Sequence, residues 1–316
     1  MTLTPKQHRL FLAHGQTLLD YPVNLSRLGK RLGVSRDTLR VIRTYVQRHG
    51  APTAEDHPGA THIVIGDAHS GPGQDHWRWR ALGKEIEAEG REAMSRGTRL
   101  EIIQIGDLFD LHSLSSYDVG KAASWNSTYA KDLAAVKTAL DILKANVSKE
   151  VWDYANWHWT KGNHEHREDR YMQDNPSLQG TLNGPWETLT GLGFNCYDFK
   201  EVLSLDGVAY VHYLQNTGNS SAVGGVNHAR SLILKGYASI TVGHSHKLDV
   251  FDDRDVHGNV VRALVVGCFF DHDEAYAGRS NQVWWRGYHI CRSVKKGNYD
   301  LQSISLETLR RKYPEA

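Results

Sequence analysis

The stretch LEIIQIGDLFD, residues 100–110, is an apolar run that ends in Gly106 and is followed directly by the carboxylate of Asp107. Two other stretches have the same form, HIVIGDAH at residues 62–69 and WHWTKGNHE at residues 157–165. Short apolar runs of this kind predict buried strands. Glycine at the end of a strand allows the backbone to turn, so we expect the polar side chain that follows to face a shared crevice.

Helical patterns over residues 77–96 and 129–149 separate the three stretches, which predicts a βαβαβ arrangement with a parallel sheet. The second half of the chain is richer in strands and includes a hairpin over residues 201–213. Two aromatic stretches, residues 152–159 and 284–288, are open to stacking on bases of a substrate, but their strand-like setting favours packing in the core, which is the expected role. The chain is therefore of the α/β class from residue 61 onward, a class whose active sites lie at the carboxyl ends of parallel strands.

Polar side chains follow the predicted strands in a fixed order. They are Asp67 and His69, then Asp107 and Asp110, then Asn163 and His164, then His212, and last His244 and His246. Carboxylate, amide and imidazole groups without a thiolate suit divalent ions such as manganese, iron, zinc or nickel. A lone histidine is unremarkable in a chain with 18 of them. Four motifs at successive strand ends instead indicate a two-metal site for phosphoryl transfer.

This series resembles the calcineurin-like metallophosphoesterase superfamily, whose pattern is D-x-H, G-D-x-x-D, G-N-H-[DE], H and G-H-x-H. The resemblance covers about residues 61–270 and implies a β-sandwich flanked by helices with a dinuclear metal centre. It implies ligands as follows: Asp67, His69 and His246 for one metal, Asn163, His212 and His244 for the other, and Asp107 as the bridge. By the same resemblance His164 contacts the phosphate or protonates the leaving oxygen, and Asp110 orients His164 or a ligand.

The resemblance implies a phosphoric ester hydrolase with two divalent ions. Manganese is the first expectation, and iron, zinc, nickel and magnesium are alternatives. Members of a superfamily share chemistry rather than substrate. Ser/Thr protein phosphatases carry Arg-Gly directly after the second motif, whereas this sequence has Leu111 and His112 there. We therefore expect the substrate to be a phosphodiester in nucleic acid or a nucleotide, cleaved by a nuclease or phosphodiesterase.

The first 50 residues carry a charge of +7, whereas the chain as a whole carries +1. Two helical patterns, residues 25–32 and 36–49, flank a short turn at Gly33, and residues 3–20 are expected to supply a supporting helix. This small all-α segment resembles a helix-turn-helix DNA-binding module. The residues expected to contact DNA are Arg36, Arg40, Arg43 and Gln47. A module that only packs against protein is the alternative, and residues 51–60 are expected to be a linker.

Composition narrows the class of protein further. Hydrophobic residues make up 40% of the chain, which is enough for a packed core. Its three cysteines are far apart, and no apolar run approaches the length of a membrane span or a signal peptide. We expect a cytoplasmic protein without a membrane partner.

Two other functions stay open: a phosphomonoesterase for a small molecule or phosphoprotein with an N-terminal oligomerisation module, and a DNA-binding regulator with an unused metal site. The oligomeric state also stays open.

Overall fold

The computed structural model describes residues 3–4, 7, 10–11, 18, 25–32, 34–50, 59–116 and 127–316. The chain divides into two compact units, one of residues 1–59 with 91–99 and one of residues 60–90 with 100–316. Most of the predicted first helix over residues 3–20, the predicted turn residue Gly33 and most of the predicted linker over residues 51–60 lie outside the described residues.

Helices and strands alternate through the first half of the larger unit, and strands predominate in its second half. The helices are α1 (Leu25–Leu32), α2 (Arg36–His49), α3 (Trp77–Arg96), α4 (Tyr129–Ala145), α5 (Lys149–Tyr154), α6 (Arg167–Asp174), α7 (Gly184–Gly191), α8 (His228–Gly236) and α9 (Leu306–Lys312). The strands are β1 (Ala60–Ile65), β2 (Leu100–Gln104), β3 (Asn156–Thr160), β4 (Asn195–Tyr197), β5 (Leu203–Leu205), β6 (Val208–Val211), β7 (Ser239–Val242), β8 (Leu248–Arg254), β9 (Val260–Val266), β10 (Gly287–Lys295) and β11 (Asn298–Ser305).

The N-terminal unit contains the helix pair α1 and α2. Ser35 caps α2, because its hydroxyl oxygen accepts a hydrogen bond from the backbone N–H of Thr38 at 3.1 Å. The apolar stripe of α2 is formed by Leu39, Ile42 and Val46, which are fully buried. They join a cluster with side chains of α1 and of the described residues before it. Packing of this stripe stabilises the pair, since helices this short are marginal on their own.

Two sheets form the larger unit. The first sheet has the order β11-β10-β1-β2-β3-β4, in which β1 to β4 are parallel and β10 and β11 pair antiparallel to their neighbours. The second has the order β5-β6-β7-β9-β8, in which β6, β7 and β9 are parallel. The predicted hairpin is the antiparallel pair β5 and β6. The α/β class and the parallel βαβαβ core are therefore confirmed.

Apolar side chains from both sheets meet in one buried cluster. It includes Val64 of β1, Ile103 of β2, Val208 of β6 and Leu264 of β9. Because successive side chains of a strand point to opposite faces, the alternate residues of the second sheet pack against α8 instead. The expected sandwich flanked by helices is the result, and it presents the carboxyl ends of parallel strands from both sheets.

Two details differ from the sequence prediction. The helix predicted over residues 129–149 ends at Ala145, and α5 begins after Ser148, whose hydroxyl accepts from the N–H of Val151 at 3.3 Å. The first three strands end before the polar motif that follows each, so the motifs lie on loops. Among the helices of the described residues, none combines the length and the apolar character that crossing a bilayer requires.

Candidate metal centre

The polar motifs lie where the parallel strands of both sheets end. Asp67 follows β1, Asp107 follows β2 and Asn163 follows β3, all in the first sheet. His212 follows β6 and His244 follows β7 in the second sheet. Since the two sheets pack face to face, loops that are far apart in sequence meet at one edge of the sandwich.

One group of donor atoms is formed by Asp67, His69 and His246, which are all buried. The Nε2 atom of His246 lies 3.0 Å from Oδ2 of Asp67. The Nε2 atoms of His69 and His246 are 3.3 Å apart. The ligand atoms of the three residues lie within 4.8 Å of one another, a span that one metal ion can bridge.

A second group is formed by Asp107, His212 and His244, with Asn163 beside them. Nε2 of His212 lies 3.3 Å from Oδ2 of Asp107 and 2.9 Å from Oδ1 of Asn163. The other ring nitrogen of His212, Nδ1, faces the backbone carbonyl of Ile105 at 2.9 Å. A histidine that donates through Nδ1 presents the lone pair of Nε2 to its surroundings, as metal ligands do.

Asp107 lies between the two groups. Its Oδ2 atom is 3.3 Å from Nε2 of His212 in the second group and 3.9 Å from Nε2 of His69 in the first. Its other oxygen, Oδ1, accepts a hydrogen bond from the backbone N–H of His164 at 2.8 Å. The carboxylate is therefore held by the third motif and faces both groups, which is the position that a bridging ligand needs.

The backbone at these motifs adopts conformations that cost free energy. His69, Asp107, His244 and His246 have φ angles of 39°, 48°, 68° and 57°. Left-handed backbone at a non-glycine residue costs about 1–3 kcal/mol and is concentrated at functional sites. Glycine also matters for close approach, since a Cβ atom at Gly162 would lie 2.2 Å from Oδ1 of Asp107. The packing of the surrounding strands holds these loops in place.

His164 lies beside both groups and is fixed by Asp110. The Nδ1 atom of His164 donates to two oxygens of Asp110, the side-chain Oδ1 at 3.0 Å and the backbone oxygen at 2.9 Å. Oδ1 of Asp110 also lies 3.3 Å from Nδ1 of His69. Nη1 of Arg167 donates to the backbone oxygen of Asp110 at 2.6 Å, and Nη2 lies 3.3 Å from Nε2 of His164. One carboxylate therefore orients both a candidate ligand, His69, and the expected acid, His164.

Charges in this buried region shift several pKa values. Burial opposes the protonation of His212, but the charges of Asp107 and Asp67 outweigh it and raise its pKa to about 10. Burial, helped by the charge of His212, lowers the pKa of His244 to about 4. Burial would raise the pKa of Asp107, yet the charges of His212 and His164 hold it well below its usual range. A cation that takes Nε2 of His212 must displace a proton, so metal binding releases protons here.

His164 and Asp110 form a charge-assisted pair. Burial would lower the pKa of His164, but Asp107 and the hydrogen bond to Asp110 raise it overall. Burial would raise the pKa of Asp110, and the hydrogen bonds from His164 and His69 hold it well below its usual range. The imidazole is thus kept close to a form that can donate a proton.

The donor chemistry fits divalent metal ions. If His69 donates through Nδ1 to Asp110, its Nε2 lone pair faces Nε2 of His246 at 3.3 Å and Oδ2 of Asp67 at 4.0 Å. Nε2 of His246 lies 3.0 Å from the same carboxylate oxygen, so these three atoms require a proton or a cation among them. If His212 donates through Nδ1 to Ile105, its Nε2 lone pair likewise faces two acceptor oxygens. Acceptors that converge without a donor repel one another unless a proton or a cation lies between them. Nitrogen and carboxylate or amide oxygen in both groups match borderline to hard divalent ions.

Four residues of this region have roles that were not assigned from the sequence. The buried carboxylate of Glu165 accepts from the backbone N–H groups of Asp107, Phe109 and Gly162 at 2.8–3.0 Å. Burial and the charge of Asp107 raise its pKa to about 7. Glu165 therefore joins the loops of the second and third motifs. Its position as the last residue of GNHE was a signal that the sequence offered.

The other three support or line the site. The loop of the first motif is tied down by Gln74 and Arg78, whose side chains donate to the backbone oxygens of His69 at 2.8 Å and Ala68 at 3.4 Å. Trp284 packs edge-on against His246, with ring centres 4.6 Å apart. The sequence analysis singled out the aromatic stretch that contains Trp284 but no pattern for Gln74 or Arg78, because distances from the candidate ligands depend on tertiary packing.

A cleft of about 430 Å³ opens over the two groups. Its floor is formed by candidate ligand residues and His164, and Ala277, Ser280 and Trp284 form a wall. The expectation that residues 284–288 pack in the core is therefore wrong for Trp284 and Trp285, which are only partly buried, and it holds for Tyr288, which is fully buried. The expectation holds for Trp152, Trp157 and Trp159 in the other aromatic stretch, which are at most 8% exposed.

The residues expected to contact DNA lie on α2. At about 100° of rotation per residue, Arg36, Arg40, Arg43 and Gln47 fall within about 60° of arc. Three of them are exposed and Arg43 is partly buried. Arg40 donates to the carboxylate of Asp37 at 2.9 Å on the helix surface. The four side chains thus share one face that is separate from the buried stripe, and their contact with DNA stays a prediction.

Comparison with known proteins agrees with this geometry. The family model of the calcineurin-like phosphoesterases matches residues 61–301, which include every strand-end motif. No curated protein matches the chain. The resemblance seen in the sequence is confirmed over most of the larger unit. The family is one of metal-dependent phosphoester hydrolases, in keeping with the clustered histidines and aspartates. This chain therefore belongs to the calcineurin-like phosphoesterase family.

Proposed function

We propose that this protein hydrolyses phosphodiester bonds in nucleic acid or nucleotides with two divalent ions. The observation that supports this most is the placement of His164 beside both ligand groups, with Nδ1 hydrogen-bonded to Asp110. A nucleoside alkoxide is a poor leaving group that gains from a positioned acid. An imidazole held in this way should accelerate the hydrolysis of such an ester more than the hydrolysis of an ester with an acidic leaving group.

Each part of the site has a role in this proposal. Asp67, His69 and His246 would hold one ion, Asn163, His212 and His244 would hold the other, and Asp107 would serve both. When bound, the ions lower the pKa of water and neutralise charge on the phosphoryl oxygens. The Nε2 atom of His164 delivers a proton to the departing oxygen, and Asp110 keeps the ring in place and stabilises its charged form. Manganese is the first metal to test.

Nucleic acid is the proposed substrate class because of the basic face of α2. Arginine side chains on one face of the second helix of a pair suit contacts with phosphates and with base edges in the major groove. The large positive charge of the first 50 residues favours a polyanionic partner. Duplex DNA is the partner that this helix pair fits best.

A panel of metals and substrates tests the proposal. The substrates are bis(p-nitrophenyl) phosphate, p-nitrophenyl phosphate, single-stranded DNA and duplex DNA, each with manganese, zinc, magnesium or a chelator. We expect hydrolysis of the diester and of DNA with added metal, and loss of both on chelation. Activity confined to the monoester would instead support the phosphomonoesterase alternative. Metal-independent DNA binding without any hydrolysis would support the regulator.

A further inference from the structure

A second cleft lies next to the metal cleft and shares one residue with it. It has a volume of about 460 Å³, and Trp284 lines both clefts. Its other walls include Trp77 at the start of α3, Asp271 after β9, Trp285 and Arg286 before β10, and Arg310 of α9. We call it the aromatic cleft. A ligand that lies over the metal groups and extends past Trp284 would enter it directly.

The tryptophans before β10 give the aromatic cleft flat apolar surfaces. Trp284 and Trp285 are both partly buried, so part of each ring faces solvent. The ring of Trp285 is stacked on His289, with centres 4.7 Å apart and planes 25° apart. Trp284 is held edge-on by His246 at 4.6 Å. Both rings are fixed from behind, so little conformational entropy is lost when a ligand packs against them.

Arg310 adds a planar cation that is already positioned. Its guanidinium carbon lies 4.2 Å from the ring centre of Trp77, and Nη2 is 3.6 Å from Oδ2 of Asp271. The same carboxylate accepts from the indole N–H of Trp77 at 2.6 Å. One face of the guanidinium is therefore covered by the indole, while 60% of the side chain is exposed. The uncovered face can stack on a flat ring.

The charges of the aromatic cleft are balanced. Two arginines, Arg286 and Arg310, lie with two acidic residues, Asp271 and Glu307, and Arg286 is paired with the carboxylate of Asp273 at 2.6 Å. A site for a phosphate group would carry an excess of positive charge. Flat apolar surfaces with a stacking guanidinium and several hydrogen-bonding groups match an uncharged aromatic ring with polar edges. Among the parts of a nucleic acid, the base has that chemistry.

We propose that the aromatic cleft binds the base of the nucleotide next to the phosphodiester that is cleaved. This rests on the proposed function, and it narrows the substrate to single-stranded or unpaired nucleic acid, since a base stacked on these rings is not available for pairing. Arg310 and Trp284 contact the base on two sides of the cleft. The flanking nucleotide thereby positions its phosphate over the metal groups.

The test compares a substrate with bases to one without. For the full-length protein with metal, kcat/KM is measured on tetrathymidylate and on an abasic tetranucleotide, which has the same sugar–phosphate backbone and no ring to stack, and the ratio of the two is the readout. We expect Arg310→Ala to lower this ratio about 5- to 150-fold, the range that loss of one stacked base produces. Arg310→Lys should not restore it, because the ammonium keeps the charge but lacks the planar face.

Arg311→Ala is the matched control. Arg311 lies on the same helix, is 71% exposed and pairs only loosely with Glu307 at 3.7 Å. It does not line the aromatic cleft. The ratio of this variant should equal that of the wild type. If Arg310→Lys restores the ratio, Arg310 contacts a phosphate and the base site is wrong.

Binding of tetrathymidylate with uncharged methylphosphonate linkages, which resist hydrolysis, separates this proposal from the proposed function. If the wild type hydrolyses DNA but Arg310→Ala leaves both the ratio and this binding unchanged, only the base site is overturned. If DNA is not hydrolysed but the analogue binds and Arg310→Ala weakens binding, the base site is supported and the proposed nuclease activity is overturned. If neither hydrolysis nor binding occurs, both are overturned.

Discussion

Replacing His164 by glutamine separates proton donation from metal binding. The histidine side chain is only 12% exposed, and its Nδ1 atom is held by Asp110 at 2.9 and 3.0 Å. Glutamine is polar and of similar length, so it preserves packing but cannot donate an ionisable proton. The ligand groups on either side do not include this residue in the proposed mechanism. Metal content should therefore stay at the wild-type value.

The size of the effect depends on the leaving group. A positioned general acid contributes about 10²–10⁴-fold, which corresponds to about 3–5.5 kcal/mol of activation free energy. We expect a loss in this range for a thymidine leaving oxygen. A p-nitrophenolate leaves without a proton, so the loss on bis(p-nitrophenyl) phosphate should be smaller than the loss on the thymidine ester by a factor of at least about ten. Part of the loss remains on bis(p-nitrophenyl) phosphate, because His164 is also expected to contact the phosphate, and a hydrogen bond to a charged group contributes about 1.5–3 kcal/mol.

The assay measures kcat on both substrates and bound metal by mass spectrometry. His166→Gln is the control, because the ring of His166 is stacked on Phe199 and its Nδ1 atom lies 2.8 Å from Asp169, away from both ligand groups. Its turnover should stay within about twofold of wild type, as for an ordinary surface substitution. Equal losses for His164→Gln on both substrates would refute proton donation. Loss of bound metal would instead make His164 part of the ligand set.

Three other changes test other parts of the molecule. Asp107→Asn should lower the metal content. It should also lower turnover by more than the roughly 10- to 100-fold that is lost when a group hydrogen-bonded to a metal ligand is removed; a variant with wild-type metal content would contradict the bridging role. Arg40→Ala should weaken binding to duplex DNA and reduce the slope of log K against log salt by about 1, whereas the exposed control Lys149→Ala should change neither; an equal salt slope in all three proteins would contradict a phosphate contact. Burial lowers the pKa of His289 to about 4, so the unfolded chain binds more protons below about pH 6.5, and this residue's contribution to stability falls as the pH falls from 6.5 towards 4. The unfolding free energy of the wild type relative to His289→Phe should therefore fall by about 2 kcal/mol between pH 7 and pH 5, as measured by denaturant titration; a difference that does not vary with pH would show that folding does not lower the pKa of His289.

Local patterns predicted the α/β class and the series of metal-binding motifs. Burial and turning are local properties: an apolar run such as residues 100–105 shows where a strand is covered, and a glycine shows where the chain can turn. The side chain after each turn could therefore be identified as a candidate ligand. The helix pair over residues 25–49 was predictable for the same reason, because Leu39, Ile42 and Val46 recur at helical spacing.

Which of these side chains meet was decided by tertiary structure. The pairing of strands and the stacking of two sheets depend on contacts between residues far apart in the chain, and no short window of sequence reports them. Asp110 serves both His69 and His164 only because the second motif lies between the first and the third. Trp284 reaches His246 only because β10 inserts beside β1. The sequence alone thus determined which residues are candidates for the chemistry, whereas long-range packing decided their distances, because the free energy that holds these left-handed loops comes from the sandwich around them.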